Sequence, residues 1–430
     1  MTAEPRVPAV GGTRTVPAPD RIAADYVLLV LRLDQHVPGL IDAYFGPASL
    51  KAQVDMESRS APAALRDAAA TLRERVDAEV ADPDRRTWLT AQLIALETQA
   101  AVLAGDTVSY EEHVSRAFDF VPRRIPEAVL DDAARVVDEL LPGDGDLVAR
   151  VAAWDARMEV PVERRPAVMD GLMERFRVRA AELFGLPSGE RLRVTYVRNQ
   201  PWSAYNWYDG GLQSRVDVNT DLPTHLPGFA QTVAHEAYPG HHLEHAWKEA
   251  DLVERGRVEC SALTINTPEC FISEGLADVG FDFVSPPDER ADLLAELFEV
   301  AGIPDGADSV RRREAAETAT ALLTARETLR TSRVNVALML HGDGVARDEA
   351  LEYLVRAGRY PRNVAEKRLE FLVHPLWRTY IFVYSEGEAL LREWLEAVPE
   401  ADRPGRFARL LHEQLTPGTI RQELRDQVRA

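Results

Sequence analysis

The chain has 430 residues and a formal charge of −20, with 46% hydrophobic and 28% charged residues. That length supplies a large core, with room for two subdomains, and the composition is that of a globular protein. The acidic balance excludes nucleic acid and anionic membranes as general partners, because both reward basic surfaces.

Residues 1–20 are rich in Pro, Gly and Thr and lack the apolar stretch of a signal peptide. They are expected to form a disordered N-terminal arm. No run of eighteen apolar residues occurs, so no membrane span is expected. Cys260 and Cys270 are the only cysteines; two thiols in so long a chain predict reduced side chains and a cytoplasmic protein.

From Arg21 to Gly185 the apolar residues recur at helical spacing, giving an N-terminal helical region over 21–185. Helices are predicted over 61–81, 86–104, 110–120, 125–141, 145–156 and 164–184. Breaks are expected at Pro83, Pro122, Pro142-Gly143 and Pro161, with Pro62 and Pro126 in first turns. The texture changes after Gly185. Arg191–Val197 and Gln213–Asn219 alternate polar and apolar residues, and Asp209-Gly210-Gly211 between Tyr208 and Gln213 is a hairpin signal. A small antiparallel meander is predicted, followed by helices to the C-terminus. The expected fold is mainly α, with one small antiparallel sheet beside an active-site helix. Residues 186–430 form the catalytic region, packed with the N-terminal region as one integrated fold.

The segment His235-Glu236-Ala-Tyr-Pro239-Gly240-His241-His242-Leu243-Glu244 carries the chemistry. In the H-E-x-x-H pattern two imidazoles one helical turn apart hold a metal, and the Glu activates water. Here the fourth position after His235 is Pro239. On a straight helix His241 would lie roughly 9 Å along the axis and about 240° around it, and His242 roughly 10.5 Å along. Neither could share a zinc ion with His235. Pro239 has no N–H, and its missing donor is the one that would bond the His235 carbonyl. Gly240 tolerates unusual backbone angles. A break at Tyr238–Gly240 is therefore predicted, returning either His241 or His242 to the face of His235.

A third ligand is expected on the helix beginning at Pro268. Glu274 and Asp278 are four residues apart, on one face, among Phe271, Ile272, Leu276 and Val279. Buried carboxylates need partners. One can bind metal while the other accepts the free N–H of a ligand histidine. Upstream, Arg215–Thr220 reads either as an ordinary strand of the small sheet or, as in zinc peptidases that bind an extended peptide by strand addition, as an edge strand, with Asn219 on it as a substrate-binding residue.

Residues 235–244 resemble the signature of the bacterial domain-of-unknown-function family 885, whose members are related in pattern to gluzincin metallopeptidases. Gly240-His241-x-Leu243 is similar to the Gly-His-Ala-Leu of thimet-type oligopeptidases and carboxypeptidase Taq. Glu274-Gly-Leu-Ala-Asp278 resembles the Glu-x-x-x-Asp helix of neprilysin-like enzymes. The resemblance implies His235, His241 and Glu274 as Zn2+ ligands, Glu236 as general base and Asp278 as a carboxylate behind the ligands. Tyr384, in Tyr384-x-x-Gly387-Glu388, resembles the family's Tyr-x-x-Gly-Glu segment; a phenol there can stabilise an oxyanion. The expected function is a zinc-dependent hydrolase, a metallopeptidase acting on a peptide or small amide substrate through metal-activated water. The alternatives are an enzyme of the same fold acting on a non-peptide small molecule and a non-catalytic helical interaction protein.

Overall fold

A computed structural model describes residues 16–200, 202–303 and 309–429. Of the expected arm, residues 1–20, the first fifteen lie outside the described residues. Eight helices make up the N-terminal region: α1 (Arg21–Asp34), α2 (Ala48–Met56), α3 (Pro62–Glu79), α4 (Pro83–Ala104), α5 (Tyr110–Phe118), α6 (Glu127–Leu140), α7 (Leu147–Arg157) and α8 (Arg165–Phe184). Their ends are set by local chemistry. Asp20 accepts from the Ala23 N–H at 2.8 Å to start α1. Asp82 accepts from the N–H groups of Asp84 and Arg85, so Pro83 opens α4 at a first-turn position instead of marking an end. Gly105, at φ 87°, closes α4.

Two small sheets follow from β1 (Ile41–Tyr44), β2 (Arg191–Val197), β3 (Ala204–Gly210), β4 (Gln213–Asn219) and β5 (Ala262–Thr264). β3 and β4 form the predicted hairpin, with Gly211 and Leu212 at φ 65° and 60° in its turn, as a two-residue turn of this twist requires. The sheet is mixed, though, not antiparallel. β2 pairs in parallel with β4, in the order β2-β4-β3. β1 and β5 form a second, antiparallel pair, and neither it nor α2 was anticipated.

Beyond the sheet come α9 (Leu226–Glu236), α10 (His241–Lys248) and α11 (Pro268–Val284), then α12 (Arg290–Ala301), α13 (Ser309–Arg330), α14 (Ser332–His341), α15 (Arg347–Ala357), α16 (Arg362–Val373), α17 (Ile381–Glu396), α18 (Arg403–His412) and α19 (Pro417–Arg429). The chain is mainly helical with small sheets, as its periodicity predicts. One apolar cluster runs from Ile22 to Ile420, so the N-terminal helices and the later ones share a core. α11 is the axis of that core. Its side chains are apolar nearly all round, and it packs on α9, α10 and α17. The crossing with α17 is at glycine contact: a β-carbon on Gly275 would lie 2.6 Å from the Gly387 carbonyl carbon. That approach brings the second turn of α17 over the middle of α11. Among the described residues no helix is long and apolar enough to cross a membrane.

Candidate metal centre

The helix that begins at Leu226 stops at Glu236 and a new one starts at His241. Between them the Tyr238–Pro239 peptide is cis, and the Gly240 N–H bonds the Ala234 carbonyl at 3.0 Å. Gly240 folds back so closely that a β-carbon there would lie 1.9 Å from the His235 carbonyl oxygen; only glycine fits. Pro239 in turn packs against Gly280 of α11, where a β-carbon would meet its ring at 2.9 Å. The break falls where the sequence places it. Its consequence is that His235, at the end of α9, and His241, at the start of α10, face each other with ring centroids 4.6 Å apart and planes at 86°.

Glu274 of α11 lies between them. Its Oε2 is 3.5 Å from His235 Nε2 and its Oε1 is 3.6 Å from His241 Nε2. One donor atom from each of His235, His241 and Glu274 falls within 4.8 Å of the others. Burial alone would raise the Glu274 carboxyl; the two imidazoles outweigh it and hold the group well below the usual carboxylate range. Tyr380 donates to Oε1 at 2.6 Å, while the buried Oε2 has no hydrogen-bond partner. An orphaned carboxylate oxygen is costly unless a cation completes it. Two nitrogens and one carboxylate, converging from three helices with an open side, are a donor set that suits zinc.

Each imidazole is held from behind. His235 Nδ1 bonds Asp278 Oδ1 at 2.9 Å, leaving Nε2 turned toward Glu274. His241 Nδ1 lies 3.3 Å from the Ser273 hydroxyl and 3.7 Å from Glu244 Oε2. Burial disfavours charge on His241, but Glu244 and Glu274 overcome it and push the group up to about 10. The carboxylates thus concentrate negative potential at this point. Glu244 is itself buried and bonded to Lys248 Nζ at 2.7 Å and to the Ser273 hydroxyl at 2.5 Å. Lys248 also pairs with Glu269, which accepts from Trp88 Nε1 at 2.6 Å. Sequence reasoning gave Glu244 and Ser273 no role at the site, and considered Tyr380, one turn before Tyr384, only as a phenol for the oxyanion. The three-residue step from His241 to Glu244 on α10 was the available signal for the first.

His242 does not join the site. It is fully buried on the opposite side, with Nδ1 2.8 Å from the Ser214 hydroxyl and Nε2 2.9 Å from Glu190. Burial and then Arg177 keep it below its ordinary value despite Glu190. His245 stacks on His241 at 5.7 Å, with its Nδ1 unpartnered.

His235, His241 and Glu274 open on one cleft of about 1200 Å³, also lined by Glu236, Asp278, Tyr380 and Tyr384. Burial, reinforced by Glu274, raises the Glu236 carboxyl although His235 and His241 oppose it. Tyr384 lies within the field of Glu274 and Asp278. Trp202 and Tyr205 also line the cleft, and Tyr208 is buried in the core.

Asn219 is a correction. It is buried, does not line the cleft, and donates through Nδ2 to the carbonyls of Gln200 and Trp202 at 2.9 and 3.0 Å. Its strand, β4, is central, with both sides paired, so no peptide can add to it. The strand beside the cleft is β3, whose Ala204–Asn206 line it.

No family model and no curated protein matches the chain. Among solved structures, a Colwellia psychrerythraea protein described as a putative lipoprotein aligns with a TM-score of 0.52 at 14% identity, over 85% of this chain and 66% of that one. This chain thus spans just under two thirds of that relative's length, and the likeness establishes a shared fold. A Shewanella oneidensis protein described as a putative lipoprotein of unknown function aligns at 0.48 and 14% identity, over 94% and 73% of the two chains. Trypanosoma cruzi metallocarboxypeptidase 1 aligns at 0.39 and 12% identity, over 95% and 98%.

Proposed function

We propose that the protein is a zinc-dependent hydrolase of gluzincin type, acting on peptide or small amide bonds and related to domain-of-unknown-function family 885. The observation that carries the reading is the convergence of His235, His241 and Glu274, with a buried Glu274 oxygen that no protein group satisfies. Those three residues would hold the ion. When bound, it supplies Lewis acidity toward a carbonyl and makes water more acidic.

The remaining groups have distinct tasks. Asp278 fixes His235 so that Nε2 faces the centre, and Ser273 with Glu244 does the same for His241. Tyr380 holds Glu274 by a hydrogen bond to Oε1. Glu236 is the general base: its carboxyl faces the cleft next to the three donors and is raised by burial, which brings it closer to the operating pH. It takes a proton from the attacking water and passes it to the leaving amine. Tyr384 lines the same cleft with its phenol kept protonated by burial, and it donates to the oxygen that gains charge as the carbonyl is attacked. Cys260 and Cys270 are buried free thiols; they suit a reducing compartment, and we assign the enzyme to the cytoplasm.

The test compares metal content and hydrolysis of a peptide library by wild type and Glu236→Gln. The variant should keep its zinc and lose activity by about 10²–10⁴-fold, as removal of a general base does. Full activity in the variant would end this mechanism.

A further inference from the structure

The cleft also holds positive charge that the reaction above does not use. Arg330 closes α13 and Arg333 lies in the first turn of α14, on either side of Thr331-Ser332, and both line the cleft with Asp278 and Tyr384. Two other cleft arginines are neutralised: Arg290 pairs with Asp282 at 2.7 Å, and Arg392 with Asp282 at 2.5 Å and Glu388 at 2.8 Å; Arg368 lines the cleft as well and adds to its positive charge. Among the described residues no carboxylate lies within ion-pair distance of Arg330 or Arg333. The Arg333 Nε–H is anchored on the Arg330 carbonyl at 2.9 Å, which fixes one guanidinium edge and leaves the other without a protein acceptor.

Burial lowers both guanidinium groups from their ordinary value; Glu327 partly offsets it at Arg330, and Arg368 adds to it at Arg333. Guanidinium does not lose its charge in proteins, so the molecule holds two close cations where they are disfavoured. The Tyr360 hydroxyl, within the field of both, is buried without a hydrogen-bond partner. Paired guanidinium forks suit a carboxylate, which accepts two parallel N–H bonds.

We propose that Arg330 and Arg333 form a carboxylate-binding subsite of this cleft, so that the enzyme acts on peptides carrying a free carboxylate near the bond cleaved. The proposal rests on the hydrolase reading for its substrate class, but the subsite itself is defined by binding. Arg333 is placed for it: Tyr384 and Asp278 lie within its field, and Tyr384 lies within that of Glu274, so a bound carboxylate would sit next to the reacting centre.

Calorimetric titration of the zinc-loaded Glu236→Gln protein tests this without turnover. Three probes are used: an N-acetylated dipeptide with a free C-terminal carboxylate, the same dipeptide as its amide, and an amide carrying one glutamate side chain. At least one carboxylate probe should bind about tenfold or more tighter than the plain amide. Preference for the first assigns the subsite to chain ends, and preference for the third to acidic side chains. Adding Arg333→Gln or Arg330→Gln should bring the ratio to within about threefold, and Arg333→Lys should retain part of it. Thermal melts identify a variant that fails to fold, in which case the other arginine decides.

Equal binding of all three probes, or a preference that survives both glutamine variants, overturns the subsite. Steady-state hydrolysis separates the two readings. Cleavage of blocked and free peptides at equal kcat/KM would keep the hydrolase and discard the subsite. An arginine-dependent binding preference without hydrolysis of any peptide would do the reverse.

Discussion

At the residue scale the decisive distinction is between two adjacent histidines. Their ring environments have opposite logic. His241 is oriented by Ser273 and Glu244 with Nε2 left for Glu274, whereas both nitrogens of His242 are consumed by Ser214 and Glu190. Glu190, which burial would raise, is held at about 2 by hydrogen bonds from His242, Tyr238 and Arg177. His242→Ala should therefore cost about 2–4 kcal/mol in denaturant unfolding, through a cavity and a weakened buried carboxylate, while zinc stoichiometry stays at the wild-type value. His241→Ala should show the inverse, with zinc lost and a smaller stability change. Metal analysis beside urea melts reads both, and an exchange of the two outcomes would mean the ligand is His242. The sequence alone left this pair open, because on an unbroken helix neither residue reaches His235. The partners that separate them, Ser214 and Glu190, lie 28 and 52 residues away.

At the scale of elements, the break between α9 and α10 was legible because its causes are local. A missing N–H at Pro239 and a glycine after it act within one turn. The same locality explains why the long helices were predicted to within a few residues, and why the hairpin at Gly210-Gly211 was found. Pairings between distant segments carry no such mark. β2 joins β4 in parallel across the whole of β3, and β1 joins β5 more than 200 residues later; nothing in the alternation of Arg191–Val197 states its partner or direction. Reading β4 as an edge was an error of this kind, and it took Asn219 with it. Arg330 and Arg333 escaped notice for a related reason. They sit at the junction of two helices in an ordinary charged stretch, and their want of a partner exists only once α13 and α14 face the cleft. The break itself offers a sharp test. In Gly240→Ala the added carbon would overlap the His235 carbonyl, and neither α9 nor α10 can yield without moving His235 or His241. We expect a loss of about 3 kcal/mol or more, together with weaker zinc binding measured by competition with a chromophoric chelator. A variant with wild-type stability and zinc affinity would show that the close approach at Gly240 is not what sets the ligand geometry.

At the scale of the molecule, the centre is where elements from distant parts of the chain meet. His235 ends α9, His241 begins α10, Glu274 lies on α11, and the hydroxyl on Glu274 comes from Tyr380 immediately before α17. Around them, one apolar core spans from Ile22 to Ile420, and Arg85 of α4 reaches the buried Glu259 at 2.7 Å. A cation held by His235, His241 and Glu274 would therefore tie together three helices that otherwise meet through packing and through carboxylates in need of positive charge. Ligand that binds only the folded state adds stability by mass action, about 2.7 kcal/mol at a hundred times its dissociation constant. For a chain of this size that corresponds to a melting temperature higher by about 3 °C. Chelated protein should accordingly melt below the zinc-replete form by about that amount, and zinc added back should restore it. Glu274→Ala should be indifferent to both treatments, since the remaining imidazoles make a two-donor site, while Glu236→Gln should respond like wild type. The contrast between those two carboxylates separates holding the ion from using it. Identical melts for chelated and zinc-replete wild type, with no zinc retained after dialysis, would remove the metal from this account and leave the cleft to be explained by its arginines alone.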